Sequence, residues 1–399
     1  MRAKFYRKVL KNGFTILFEK RNVPIVAVGI AVRCGGINEA VYEKGISHFI
    51  EHMLYKGTPT RDARKIAEEI EKNGGRLNGF TDEMITAYWC KMPSNKLNLA
   101  LDILTDMIKN PLFDEKELEK ERKVIFEEIK MRKDNPQIYV VDEIHGLLYE
   151  APFGIPLIGT KETMNPLDRG KLLERFKEVY TPNNLVLCVV GNADFGKLVD
   201  FVEKNFGNEK GKVSKFKIKE KNQTKIEKRK GLDQANFIFA YHIPLAKDKK
   251  SHAAEVLSAL MAYGMSSRLF SEIREKRNLA YTITGDNTVS KDYSYSIIYA
   301  GTTKENVEKV KELILEEFSK VSKGLEEKEL NQVKEQLIGN YFISMEDSVD
   351  ELTHLLSYEI NGNVKDFYDY AENIRAVKLR DVKKLAKIKK YSFFALVPE

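Results

Sequence analysis

The chain has 399 residues, 43% hydrophobic and 31% charged, enough for two or three soluble globular domains and too apolar for long disorder. No apolar run approaches the roughly 18 residues of a transmembrane helix, and three dispersed cysteines without a C-x-x-C spacing (Cys34, Cys90, Cys188) argue against a disulfide framework or a cysteine-built zinc site. The formal net charge of +7 is confined to one place: 208–230 holds ten Lys/Arg and three Glu, and the rest of the chain holds 56 of each sign.

The basic start, Met1 to Lys8, is followed by no apolar run of the signal-peptide kind, so the expected compartment is a reducing cytoplasm. Val9 to Lys20 reads as a strand pair turning at Lys11-Asn12-Gly13, and Ile25 to Val32 as a further strand. Helices are predicted over 45–55 and 61–73, the second with Ala63, Ile66, Ala67 and Ile70 at helical spacing and Gly74-Gly75 as its stop. Strands follow near 76–81 and 84–92, then helices over 97–109 and 115–132. A proline-rich loop leads to a helix at 168–180, the strand Leu185–Val190 and a last helix near Phe206.

The second half repeats this order. A strand at 237–241 precedes helices at 252–262 and 267–274, strands at 281–289 and 294–300, and helices at 304–320 and 326–343. Asp114–Leu118 is echoed by Glu326–Leu330, and Ser47–Ile50 by Ser267–Phe270. The expected class is α+β: two similar, duplicated domains, each a mostly antiparallel sheet with helices packed on one face. The expected boundaries are 1–207, a basic linker and edge-strand start at 208–230, and 231–399. With Phe216 as its one aromatic residue, the basic segment is no stacking platform. It reads as a solvated linker and a lysine-protected edge, with no nucleic-acid or membrane partner expected.

The chemistry sits in Gly45–Leu54, which contains H-x-x-E-H. His48 and His52 are i and i+4, so both imidazoles leave one helix face a turn apart, as two nitrogen ligands of one Zn²⁺ require. Glu51 lies on nearly the same face, within reach of water at the metal without being a ligand. This is the inverzincin signature. A catalytic zinc site needs a third protein ligand and an open position. The helix around 121–129 offers Glu121 and Glu128, seven residues apart on one face, while Glu119 and Glu127 point elsewhere.

His48–Thr58 (H-F-I-E-H-M-L-Y-K-G-T), Gly74–Thr81 (G-G-R-L-N-G-F-T) and Glu121–Ile129 (E-R-K-V-I-F-E-E-I) resemble the pitrilysin family, which includes insulin-degrading enzyme and the mitochondrial processing peptidase. The resemblance implies a zinc metalloendopeptidase with one Zn²⁺ per chain, Glu128 as third ligand, Glu51 as general base and Glu121 as an accessory group. It also implies that peptide substrate adds as a strand beside Asn78, Gly79 and Phe80, although Ala is common in relatives where Gly79 stands. Arg274 and Tyr281 match a pair that contacts the substrate backbone. At the positions equivalent to the ligands, the second half has Arg268, Glu272 and Asn340, so it is expected to be metal-free. Two such domains are half of the family's four-domain chamber, which implies a homodimer. The rival reading is a non-catalytic scaffold or partner subunit of the same family, which would lose motif residues that this chain retains.

Overall fold

Apolar alternation and hairpin connections organise the chain into two sheets. The computed structural model describes residues 4–399, so the first three residues of the basic start lie outside it. The first sheet contains β1 (Lys4–Val9), β2 (Thr15–Lys20), β3 (Ile25–Val32), β4 (Arg76–Thr81), β5 (Thr86–Pro93) and β6 (Leu185–Gly191). Its order is β1-β2-β6-β3-β5-β4, antiparallel except between β2 and β6, which leaves β4 at one edge. The second sheet contains β7 (Thr224–Arg229), β8 (Ala235–His242), β9 (Ala280–Val289), β10 (Ser294–Thr302) and β11 (Ser392–Pro398). Its order is β7-β11-β8-β10-β9, parallel only between β7 and β11. This is the expected α+β class.

In chain order the helices that matter are α1 (Ile46–Leu54), α2 (Ala63–Glu71), α3 (Leu97–Lys109), α4 (Glu115–Asp134) and α5 (Pro136–Leu148). The hydrophobic core of the first sheet joins Val26, Val28, Ile30 and Val32 of β3 to Phe49, Ile50 and Met53 of α1 and to Ile103, Leu104 and Met107 of α3. Yet β3 is buried along almost its whole length, so its other face is covered too. That face carries Ala27, Gly29 and Ala31. A β-carbon on Gly29 would lie 2.9 Å from Leu352 Cδ2, so the absent side chain is what lets a helix from far along the chain, Ser348–Ile360, lie against β3. Arg7 and Arg33 fix that helix by its last turn: both guanidinium groups donate to the buried Glu359 carboxylate at 2.8 Å.

The second sheet shows the reciprocal arrangement. Phe237, Phe239, Phe393 and Ala395 face its own helices, and α5 covers the opposite face of β8 and β11. Ring contact between Tyr139 and Phe394 and a hydrogen bond from Ser392 Oγ to the Leu147 carbonyl at 2.9 Å hold it there. Each sheet thus has its local helices on one face and, on the other, one helix contributed by the opposite half of the chain.

The two compact units therefore do not follow one cut near residue 207. The first comprises the residues up to Ile129 with Leu157–Phe216 and Ser344–Val364; the second comprises Lys130–Pro156, Lys217–Ile343 and Lys365–Glu399. The basic segment runs into β7, an edge strand with lysines at 225 and 228, as an edge that resists unwanted pairing should have. Cys34, Cys90 and Cys188 are all buried free thiols. Among the described residues no helix is long and apolar enough to cross a membrane.

Burial pushes the Glu359 carboxyl up, but the hydrogen bonds from Arg7 and Arg33 outweigh it and hold the group below its ordinary value. A depressed folded-state value stabilises the fold above the unfolded value and loses that contribution as pH falls through the folded one. Glu359→Gln should therefore cost about 1–3 kcal/mol at pH 7. Denaturant unfolding of both proteins should show the gap shrinking as the medium is acidified.

Candidate metal centre

Helix α1 begins at Gly45, whose φ of 98° suits glycine and whose missing side chain leaves room for Met164 and the Ile158 carbonyl. The helix has no side-chain cap of its own. Instead the buried Glu39 carboxylate accepts the Gly45 N–H at 3.0 Å and the Ser47 N–H at 2.8 Å. Ile46, Phe49, Ile50, Met53 and Leu54 then point into the core. The opposite face carries His48, Glu51 and His52, all half-buried.

Helix α4 brings the partner carboxylates. Arg122 anchors it: the guanidinium stacks over the Phe49 ring at 5.3 Å and donates to the carbonyls of Met164 and Leu167. Glu128 Oε2 stands 3.8 Å from Nε2 of His48 and equally 3.8 Å from Nε2 of His52. The three donor atoms lie within 4.8 Å of one another, and among the described residues this is the group that could hold a metal ion. Donors around a tetrahedral Zn²⁺ at ordinary bond lengths lie roughly 3.4 Å apart. Two imidazole nitrogens and a carboxylate, slightly wider than that, therefore fit one such ion in number, kind and spacing.

Glu121 has a different place. Its Oε2 lies 3.0 Å from His52 Nδ1, and its Oε1 takes the Lys56 ammonium at 2.5 Å. A carboxylate on Nδ1 selects the tautomer that leaves Nε2 free as a ligand and fixes the ring plane. Glu119 is paired with Arg122 and Glu127 is exposed, so neither joins the cluster.

Glu51 is held by a residue that sequence reasoning did not single out. Thr81 Oγ1 donates to Glu51 Oε2 at 2.6 Å. Burial pushes the Glu51 carboxyl up, opposed by the Thr81 hydrogen bond and the His52 ring, with the Glu128 charge adding to the rise. The signal for Thr81 was the strand period: Leu77, Gly79 and Thr81 share one face of β4. Gly79 accordingly faces α1, whereas Asn78 and Phe80 lie on the other face. β4 is paired only with β5, and at its open edge the Gly79 N–H is taken by Asn78 Oδ1 at 2.8 Å.

In the second unit, Arg274 lies in a six-residue π-helical turn, Phe270–Glu275, where a regular helix from Ser267 was expected. Single π-turns favour functional positions. Its guanidinium sits 4.7 Å from the Phe270 ring and 5.8 Å from the ring of Tyr281, the second residue of β9, which is 78% exposed. Two of the three ligand-equivalent positions are charged and neutralised by ion pairs. Arg268 binds Glu329 at 2.5 Å and Glu317 at 3.5 Å, while Lys276 and Arg277 hold Glu272 down to about 2.

A family pattern described as Insulinase (Peptidase family M16) matches residues 15–161, and one described as Peptidase M16 inactive domain matches residues 166–337. The second match covers the half in which Arg268 and Glu272 are tied up in ion pairs. An uncharacterized zinc protease of Bacillus subtilis, YmxG, is 34% identical over 391 residues, 96% of this chain and 94% of that protein. One from Rickettsia felis is 33% identical over 350 residues, 87% of this chain and 85% of that protein. A protease from Helicobacter pylori has the same fold, with a TM-score of 0.91 at 23% identity over 99% of this chain and 100% of that one. The chain belongs to the M16 peptidase family, the pitrilysin family, in its two-domain form.

Proposed function

We propose that this chain is a zinc-dependent metalloendopeptidase acting on peptides or unfolded segments. The observation that carries the reading is the convergence of His48, His52 and Glu128 beside a carboxylate, Glu51, that is bound to the neighbouring edge strand rather than to the cluster. His48, His52 and Glu128 would hold one Zn²⁺, which when bound would supply Lewis-acid polarisation of the scissile carbonyl and lower a water's pKa toward about 7. Glu51 takes the proton of the attacking water and delivers it to the leaving amine, so one water is consumed per peptide bond and Glu51 ends as it began. Thr81 holds one oxygen of the Glu51 carboxylate against the edge strand.

The peptide adds to the open edge of β4, where main-chain hydrogen bonds give affinity with little demand on sequence. On this reading it displaces the Asn78 side chain from the Gly79 N–H. Arg274 and Tyr281 of a second copy of the chain serve as donors to the carbonyl oxygen as it gains charge. The resemblance also supports a homodimer, since two domains make half of the family's chamber, and the three buried free thiols support a reducing cytoplasm as its compartment. A scaffold role would leave Glu51 without a task.

Glu51→Gln should retain zinc and lose cleavage of an unfolded peptide by about 10²–10⁴-fold; an unchanged rate removes Glu51 as the base. Glu121→Gln should weaken zinc about 10–100-fold in chelator competition, because Lys56 and His52 lose their shared anion. Light scattering of the active, zinc-loaded protein should give the mass of two chains, and a fully active monomer would defeat the dimer.

A further inference from the structure

Tyr55 follows His52 by three residues, at the end of α1, with its ring 5.9 Å from that of Tyr88. Its hydroxyl is buried and meets no hydrogen-bond partner. Buried phenols ordinarily find one, so this group calls for an account. The hydroxyl is turned toward Gly79. A β-carbon there would collide with the Tyr55 oxygen and lie 2.8 Å from the Ala87 carbonyl oxygen and 3.5 Å from Glu51 Oε1. The backbone at Gly79 is not left-handed, so its conformation does not demand glycine; the space does. Ala at this position would drive its methyl into the phenol oxygen.

The two oxygens of Glu51 have different surroundings. Oε2 accepts from Thr81, while Oε1 and the Tyr55 hydroxyl, with no hydrogen bond between them, both border the small space that a side chain at Gly79 would fill. Burial, with the Glu51 charge adding to it, pushes the Tyr55 phenol far up, so it stays a neutral hydroxyl. We propose that Tyr55 is a positioning residue for Glu51, and that Gly79 is the residue whose missing side chain lets the Tyr55 hydroxyl reach that position. The inference rests on the reading of Glu51 as general base. It turns the departure at Gly79 from the alanine common among relatives into half of a size-matched pair.

The test is a double-mutant cycle of Tyr55→Phe and Gly79→Ala in the zinc-loaded protein, with an unfolded fluorogenic peptide as substrate. Chelator competition for zinc and thermal midpoints accompany the kinetics. Tyr55→Phe should lower kcat about 10-fold while leaving KM and zinc affinity within about 2-fold, the signature of a loosened catalytic group. Gly79→Ala should lower kcat by about 10²-fold, and adding Tyr55→Phe should recover about 10-fold of that, because the clashing oxygen has gone. Additive losses in the double variant, or a Tyr55→Phe protein with a lower midpoint and an unchanged kcat, would overturn the proposal. Tyr55→Phe is isosteric at the ring, so it decides the question even if Gly79→Ala does not fold. Glu51→Gln, measured alongside, separates the two failures: wild-type cleavage by that variant defeats the base assignment, whereas an inactive Glu51→Gln with an unchanged Tyr55→Phe rate defeats only the role of Tyr55.

Discussion

Helix α1 spans only nine residues, too few to be stable in isolation, and it must carry two imidazoles and a carboxylate on its outer face. The contact that everything else needs is the Glu39 carboxylate on its first turn. It accepts two of the orphan N–H groups and places a negative charge at the positive end of the helix. Glu39 is fully buried, and so is Lys44, which lies 3.9 Å from it and 3.5 Å from Glu83 and donates to the Gly36 carbonyl at 2.8 Å. One buried cation thus serves two buried carboxylates, and burial pushes Glu83 up to about 7. A change at any of the three would tilt the helix that aims both histidines.

Glu83 lies between β4 and β5, so the same cluster ties the start of α1 to the far end of the edge strand. Thr81 makes a second tie, from that strand to Glu51. The helix bearing the imidazoles and the edge strand β4 are consequently linked at two points, one of them at the Glu51 carboxylate. Strand position and the orientation of that carboxylate are then not independent variables. On the proposed function, that coupling is a physical reason for recognition by backbone and chemistry to be served by one small region.

The two histidines and Glu51 were legible because spacing on a helix fixes direction. Glu121 and Glu128 could not be told apart by periodicity, since both occupy one face of α4. The family resemblance separated them, and the fold shows Glu128 approaching both Nε2 atoms and Glu121 meeting Nδ1. The class and most strands were legible from alternation. The helix α5 was missed, although Asn135-Pro136 is a cap followed by a first-turn proline, and Asn135 does accept two backbone N–H groups. The π-turn holding Arg274 and the pairing of Tyr55 with Gly79 had no local signal, because both depend on what packs against them.

Chain connectivity gives the exchanged helices a temporal meaning. The face of β3 that bears Gly29 is closed by residues near 352, so the first sheet cannot finish its core until more than three-quarters of the chain has been made. The α5 segment, made early, has to wait for β8 and β11 in turn. Folding of either unit is tied to synthesis of the other, and the nascent protein carries an uncovered apolar sheet face for most of its emergence, a state that is prone to aggregate. The small side chains that admit the late helix are therefore also what the chain leaves open to solvent while it waits.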